Sequence, residues 1–279
     1  MICALRSSLF RLVKTGLLAK VLVFSVIAAL GVVFHTFMFD LWMFTFSRPR
    51  FLDNTFLMIC CCKLTVVFPF ALMVFCSVFT GSDVAYRAVN NKIATGLSRF
   101  SVYMADLIVS VFATALSAVM SMSAVYVFAK TFPVKENIRI NADILKIAGS
   151  AILICISFTA FYEFLQFFLS TKLLFLIISG LTVLALMMST SAIRSMLDEP
   201  YRNYVMTDKE KGTYEWVINK EYIGGAPRTV LSFIQDASVF NSGDPFDDDI
   251  LIKKDSAACA VILLSTAAGI VSVNKKEYP

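Results

Sequence analysis

Six long, predominantly apolar runs, each close to the length needed to cross a bilayer, restrict this chain to one kind of fold. A membrane helix needs about 20 apolar residues to span about 30 Å of hydrocarbon. The runs at 21–39, 56–79, 103–129, 147–170, 173–190 and 257–273 supply that length. Composition agrees: of 279 residues 58% are hydrophobic and 16% charged, with a mean hydropathy of +0.76, which leaves too little polar surface for a soluble domain of this size. The expected fold class is an all-α integral membrane protein. It is a bundle of about six transmembrane helices forming one domain over 1–279, with an interfacial amphipathic helix at the N-terminus.

Ahead of the first run, Leu5, Leu9, Leu12, Val13 and Gly16 fall near one helical face while Arg6, Arg11 and Lys14 supply charge. This pattern reads as a helix lying on the membrane surface, meeting anionic lipid with its bases, or as a plain basic flank of the first span. The run from Val21 to Phe39 is too long for the apolar core of a signal peptide and lacks a small-residue cleavage site. It is read as an uncleaved first span.

Orientation follows Lys and Arg near the span ends. Arg6, Arg11, Lys14, Lys20, Arg87, Lys92, Arg99, Lys172, Lys275 and Lys276 lie at one set of ends, against Arg48, Arg50, Lys130, Lys135, Arg139 and Lys146 at the other. With the long 191–256 segment left out of the comparison, because long loops cross largely regardless of charge, that excess predicts both termini and the 80–102 loop in the cytoplasm of a cell-membrane protein, and the 191–256 segment outside.

Within the spans, His35, Lys63, Asp106 and Glu163 are ionisable. Charge at membrane depth is costly and marks function or pairing. These four are scattered in depth, which favours snorkelling or structural pairs. Ala113, Ser117 and Ser121 recur every four residues in the third span. Such a stripe allows close helix packing or lines a path. Pro69 is expected to kink the second span. In the outer segment Asp247, Asp248 and Asp249 read as a solvated turn rather than a calcium site. There, Pro227 and the stretch TVLSFIQDASVF from Thr229 to Phe240 are expected to form a short amphipathic helix with Val230, Phe233, Ile234 and Ala237 on one face, against the outer mouth of the bundle.

The sequence carries no GxxxxGK(S/T), HExxH, GxSxG or CxxC motif and a single histidine. No catalytic residue and no metal site is expected, and the chain is not read as an enzyme. The seven cysteines, including the run Cys60 to Cys62, sit in or beside apolar runs and behave as small membrane residues.

Between the second and third spans lies GSDVAYRAVNNKIATGLSRFSVYMADLI, Gly81 to Ile108. It resembles the first cytoplasmic loop of ABC type-2 exporter permeases. The shared order is a span, a polar stretch, an amide-rich turn such as Asn90, Asn91 and Lys92, and a Gly-x-Ser-Arg step. That step here is Gly96, Leu97, Ser98 and Arg99, followed by Tyr103 on re-entry into the membrane. NKEYIGGAPRTVLSFIQDASVFNSGD, Asn219 to Asp244, is similar to the outer segment before the last span of bacterial members, except that Asn241, Ser242 and Gly243 replace a Pro-Gly step. The resemblance implies the permease subunit of an ATP-driven exporter. Its partners would be a cytoplasmic ATP-binding subunit, a second permease of the same or a related kind, and membrane lipid, with no nucleic acid. ATP and Mg would sit on the partner, no cofactor on this chain. Substrates in the family include peptides, drugs and lipid-like molecules.

The loop has its own physical reading. Val89, Ile93 and Leu97 recur at helical spacing, so a short cytoplasmic helix presents an apolar face either to a partner's groove or to the membrane surface. As a coupling element it would use Val89, Lys92, Ile93, Gly96, Leu97, Ser98 and Arg99, with Gly96 permitting the bend and Arg99 meeting a carboxylate or lipid phosphate. Phe233, Ile234 and Glu163 are candidates for substrate contact or gating. The rival expectations are a non-transport scaffold or sensor and a proton-coupled carrier, the last of which normally places acids or histidine near the midplane.

Overall fold

The computed structural model describes residues 1–43, 54–85, 88–131, 140–169, 171–208, 213–219, 221–238, 240 and 247–275. Arg48, Arg50, Lys135 and Arg139, and the Asn241 to Gly243 departure, lie outside the described residues. Among the described residues, six helices are long and apolar enough to cross a membrane: α2 (Leu17–Met43), α3 (Asn54–Ala85), α5 (Arg99–Thr131), α6 (Ala142–Leu169), α7 (Lys172–Asp198) and α9 (Asp248–Lys275). The chain is an all-α multi-pass membrane bundle. Helices meet the demand of hydrocarbon that each segment satisfy its own backbone N–H and C=O groups.

Short elements cap the two ends. At one end lie α1 (Ile2–Lys14), packed on α5, and α4 (Ala88–Ala94), packed on α3 and α5. Gly16, in the left-handed region at φ 64°, separates α1 from α2. The α1 face turned to the bundle is Ala4, Ser8 and Leu12, while Leu9 and Val13 point outward. Small residues let α1 approach α5 closely, and the outward apolar side chains suit the lipid boundary.

At the opposite end, between α7 and α9, the chain forms α8 (Gly225–Ala237) and a hairpin that no pattern noted in the sequence predicts. Its strands β1 (Arg202–Asp208) and β2 (Thr213–Ile218) pair antiparallel, Arg202 opposite Ile218 and Tyr204 opposite Trp216. Asn219 closes its base with bonds to the Glu199 carboxylate at 2.8 Å and the Pro200 carbonyl at 3.1 Å. Asp247 caps α9, its carboxylate accepting the Asp249 N–H at 2.9 Å, and Asp248 pairs with Lys146 of α6 at 3.0 Å. The acidic triplet therefore starts a helix, where the N-terminal dipole favours negative charge.

The main core runs between α3 and α6 and includes Leu64, Phe68, Leu72, Phe75, Phe158 and Tyr162. The stripe Ala113, Ser117 and Ser121 is fully buried, and Ser121 donates to the Ser25 carbonyl of α2 at 2.9 Å. Ser121 thus serves close packing of α2 on α5, while Ser117 also lines a cavity beside α2 and α3. Pro69 lies within α3, which continues on both sides of it. Near the hairpin end Lys63 of α3 donates to Thr36 of α2 at 3.1 Å.

Candidate functional site

Charge converges at the end carrying α1 and α4. The α4 helix stops because Gly96 takes φ 92°, letting its N–H reach the Ile93 carbonyl at 2.9 Å and the Leu97 N–H reach the Lys92 carbonyl at 3.3 Å. This paired closure is a Schellman end, which glycine adopts without a Cβ penalty. Ser98 then caps α5, its hydroxyl oxygen accepting the Ser101 N–H at 3.2 Å. Arg99 reaches across to the Asn274 carbonyl at 3.3 Å, fastening the loop to the last turn of α9. The Gly-x-Ser-Arg step is thus a stop, a cap and a tie.

The apolar face of α4 is turned onto the bundle. Val89 is buried with Val84, Val102, Tyr103, Phe167 and Val273, and Ile93 and Leu97 pack half-buried against them. Val89 is therefore closed to a partner's groove. The outward surface of this loop is Asn91, Ala94, Thr95, Gly96 and Ser98.

Under α4 lies an ion cluster drawn from four helices. Asp83 of α3 pairs with Arg11 of α1 and with Lys92 of α4, the latter at 2.6 Å. Asp106 of α5, fully buried, lies 3.7 Å from each of the same bases and accepts the Ser8 hydroxyl at 2.5 Å. The Arg11 guanidinium also covers the Phe79 ring at 4.1 Å from its centroid. Burial lowers the pKa of both bases, against the upward pull of Asp106 on each.

A polar seam continues from this cluster into the bundle. Glu163 of α6 is fully buried and its Oε1 accepts the Ser110 hydroxyl at 2.5 Å and the Thr80 hydroxyl at 2.8 Å. Its Oε2, the Asp106 Oδ2 and the Gln166 amide have no hydrogen-bond partner among the described residues. Gln166 lies over Gly81, where a β-carbon would stand 3.0 Å from its Oε1. One turn further in, Thr114 and Thr159 share a hydrogen bond at 2.8 Å.

The expectation of scattered ionisable residues is corrected here: Asp106 and Glu163 belong to one seam. Reading the spans singly separated them, since one lies about a turn and the other about two turns from the same end. Arg11, expected to meet anionic lipid, instead turns inward and completes the cluster with Asp83, which lies outside the apolar runs as first bounded. The available signal was Ser8 and Arg11, a polar pair at helical i, i+3 spacing on a helix otherwise assigned to lipid. Phe233 and Ile234 lie at the other end, on α8, and line a separate cavity.

No family model, curated protein or solved structure matches this chain.

Proposed function

We propose that the chain is the membrane-spanning subunit of an ATP-driven exporter, with the α1 and α4 end facing the cytoplasm and meeting an ATP-binding subunit. The observation that carries this reading is the cluster of Arg11, Asp83, Lys92 and Asp106, which fastens two surface helices to two different spans. A bundle responds to ATP bound elsewhere only if a surface element is mechanically continuous with its spans. Removing one partner of a buried ion pair is strongly unfavourable, so displacing α4 would carry α3 and α5 with it. The resemblance of Gly81 to Ile108 to exporter loops supports the same assignment. A second permease, of the same or a related kind, would complete the path, with ATP and Mg on the soluble subunit.

The test is affinity isolation of the full chain from membranes of its own source in mild detergent, with ATPase activity and subunit stoichiometry measured. A stoichiometric soluble protein with a phosphate loop and ATPase activity is expected. An isolate with neither overturns the assignment.

The buried carboxyls Asp106 and Glu163 favour a proton-coupled carrier as the second reading, because acids enclosed among spans are the parts of proton relays. The two separate on the driving force: export from inverted vesicles should follow ATP and be indifferent to a pH gradient under the first, and the reverse under the second.

A further inference from the structure

Residues 1–39 carry Arg6, Arg11, Lys14 and Lys20 and no carboxylate. Arg11 is taken up inside the bundle by Asp83, but the other three are exposed. Lys14 and Lys20 flank the elbow at Gly16, where α1 turns into α2. Lys20 stands in the first turn of α2, its N–H donating to the Gly16 carbonyl at 3.1 Å. No side chain among the described residues pairs with its ammonium. The acids of this end, Asp83 and Asp106, are held beneath α4 by Arg11, Lys92 and Ser8. No acidic residue occupies the first turn of α2, so the partial positive charge of that helix end adds to the two lysines.

Beside Lys20 a groove of about 530 Å³ opens between α2 and α3, with Ser117 of α5 in its lining. Lys20 is the one ionisable residue of the described lining. The rest is mainly hydrocarbon, and Phe24, Val74 and Val78 are exposed, so the groove opens sideways toward lipid. Two of its hydroxyls are satisfied within their own helices, Ser25 by the Val21 carbonyl and Ser117 by the Ala113 carbonyl, each at 2.7 Å. Water therefore gains few partners there. On α3 the lining runs from Val66 to Val78, about 18 Å at about 1.5 Å per residue. One leaflet of a hydrocarbon core about 30 Å thick has about that depth. The groove thus starts at the base-rich end and reaches the middle of α3, the path of an acyl chain whose head stays at the surface.

We propose that this groove holds one acyl chain of an anionic phospholipid from the leaflet at the α1 end, with the lipid phosphate at Lys20 beside the Gly16 elbow. Lys14, 5.2 Å above the Phe10 ring, adds attraction from the other side of the elbow. A zwitterionic phospholipid offers the same tail, but its own ammonium cancels the pull of the lysines. The site rests on the membrane bundle alone and not on coupling to ATP.

The test uses the purified full chain in phosphatidylcholine vesicles containing phosphatidylglycerol whose acyl chain carries a photoreactive diazirine. Crosslinks are expected on groove residues of α2 and α3 such as Phe24, Phe70 and Val74. Lys20→Gln should reduce them about fivefold, with Lys20→Arg restoring them. Lys20 is exposed, so neither change disturbs packing. The same tail on phosphatidylcholine should label the groove weakly. Ala71→Phe, which fills the groove while keeping the charge, should also reduce labelling. Equal labelling by both lipids, indifference to Lys20→Gln, or crosslinks confined to other exposed residues such as Leu263 and Leu264 of α9 overturns the proposal. No ATP-binding partner is present in the assay, so it can fail while the exporter assignment stands.

Discussion

The phenol of Tyr103 on α5 lies against the α-carbon of Gly269 on α9, so closely that a β-carbon at 269 would overlap the ring. Tyr103 is fully buried and meets Phe167 of α6 edge to face at 5.2 Å between centroids. One aromatic side chain thus joins three spans directly beneath the core that α4 covers. Without a hydrophobic drive between helices in lipid, such close backbone approach is a main source of helix association.

Gly269→Ala should therefore destabilise the purified chain by about 1–3 kcal/mol, as overpacking does in a filled core. Thermal unfolding in detergent measures it. Tyr103→Leu combined with Gly269→Ala should recover part of the loss, because the clashing ring is gone. An unchanged midpoint in the single variant would show that Tyr103 moves aside freely.

Asp83→Asn removes the carboxylate shared by Arg11 and Lys92 and leaves Asp106, 3.7 Å from each, as an anion near both. Breaking a buried pair on one side costs about 3 kcal/mol or more. The expected outcome is loosening of α1 and α4, read as faster proteolysis near 86–98 with the six spans still protected. Proteolysis equal to wild type would mean that Asp106 alone suffices.

Glu163→Ala removes the acceptor for Ser110 and Thr80 and leaves both hydroxyls buried without it. A buried polar group stripped of its partner costs about 1–3 kcal/mol. Glu163→Gln keeps an acceptor of the same reach and should lose less. The order Gln above Ala in unfolding midpoint is the expected result, and equal midpoints would remove the seam from the account of stability.

Hydropathy made the six spans, α1, α4 and α8 readable, because length and periodicity in lipid leave few alternatives. Span ends were read short: the third was bounded at 103–129, yet α5 runs Arg99–Thr131. Hydropathy marks the hydrocarbon zone, while a helix continues into the interface until a cap such as Ser98 or a stop such as Gly96 ends it. The hairpin went unread although TYEWVI, the β2 sequence, is rich in β-branched and aromatic residues. Its surroundings are polar and its pairing is non-local to either span. The ion cluster was least legible. Asp106 pairs with residues 95 and 98 positions away, Arg11 and Ser8, and no local pattern specifies which charges on separate helices will meet.

The proposed orientation places α4 in the cytoplasm and α8 outside. In a version lacking the exposed Cys3 and Cys259, a cysteine in place of Thr229 on α8 should react with a membrane-impermeant thiol reagent in intact cells. One in place of Ser98 should react only after the membrane is opened. The opposite labelling would invert the bundle and remove α4 from any cytoplasmic partner.

The coupling assignment now predicts a division between the two sides of α4. Val89 faces the bundle's own core, and burying a side chain of its kind is worth about 1.5–3 kcal/mol. Val89→Asp should accordingly lower stability, and any loss of export in that variant would follow from the loss of fold. Asn91, Ala94 and Thr95 face outward and support no packing in this chain, since all three are exposed. A contact with an ATP-binding subunit must use that outward side, because the inward side is already filled. Ala94→Glu and Thr95→Glu, placed there, should leave the unfolding midpoint unchanged while weakening copurification of the ATPase about tenfold, equivalent to about 1.4 kcal/mol of interface. Export should fall with copurification. Full copurification and full export in both Glu variants would show that the outward side of α4 touches no coupling partner. The ion cluster beneath it would then hold the bundle together without transmitting anything.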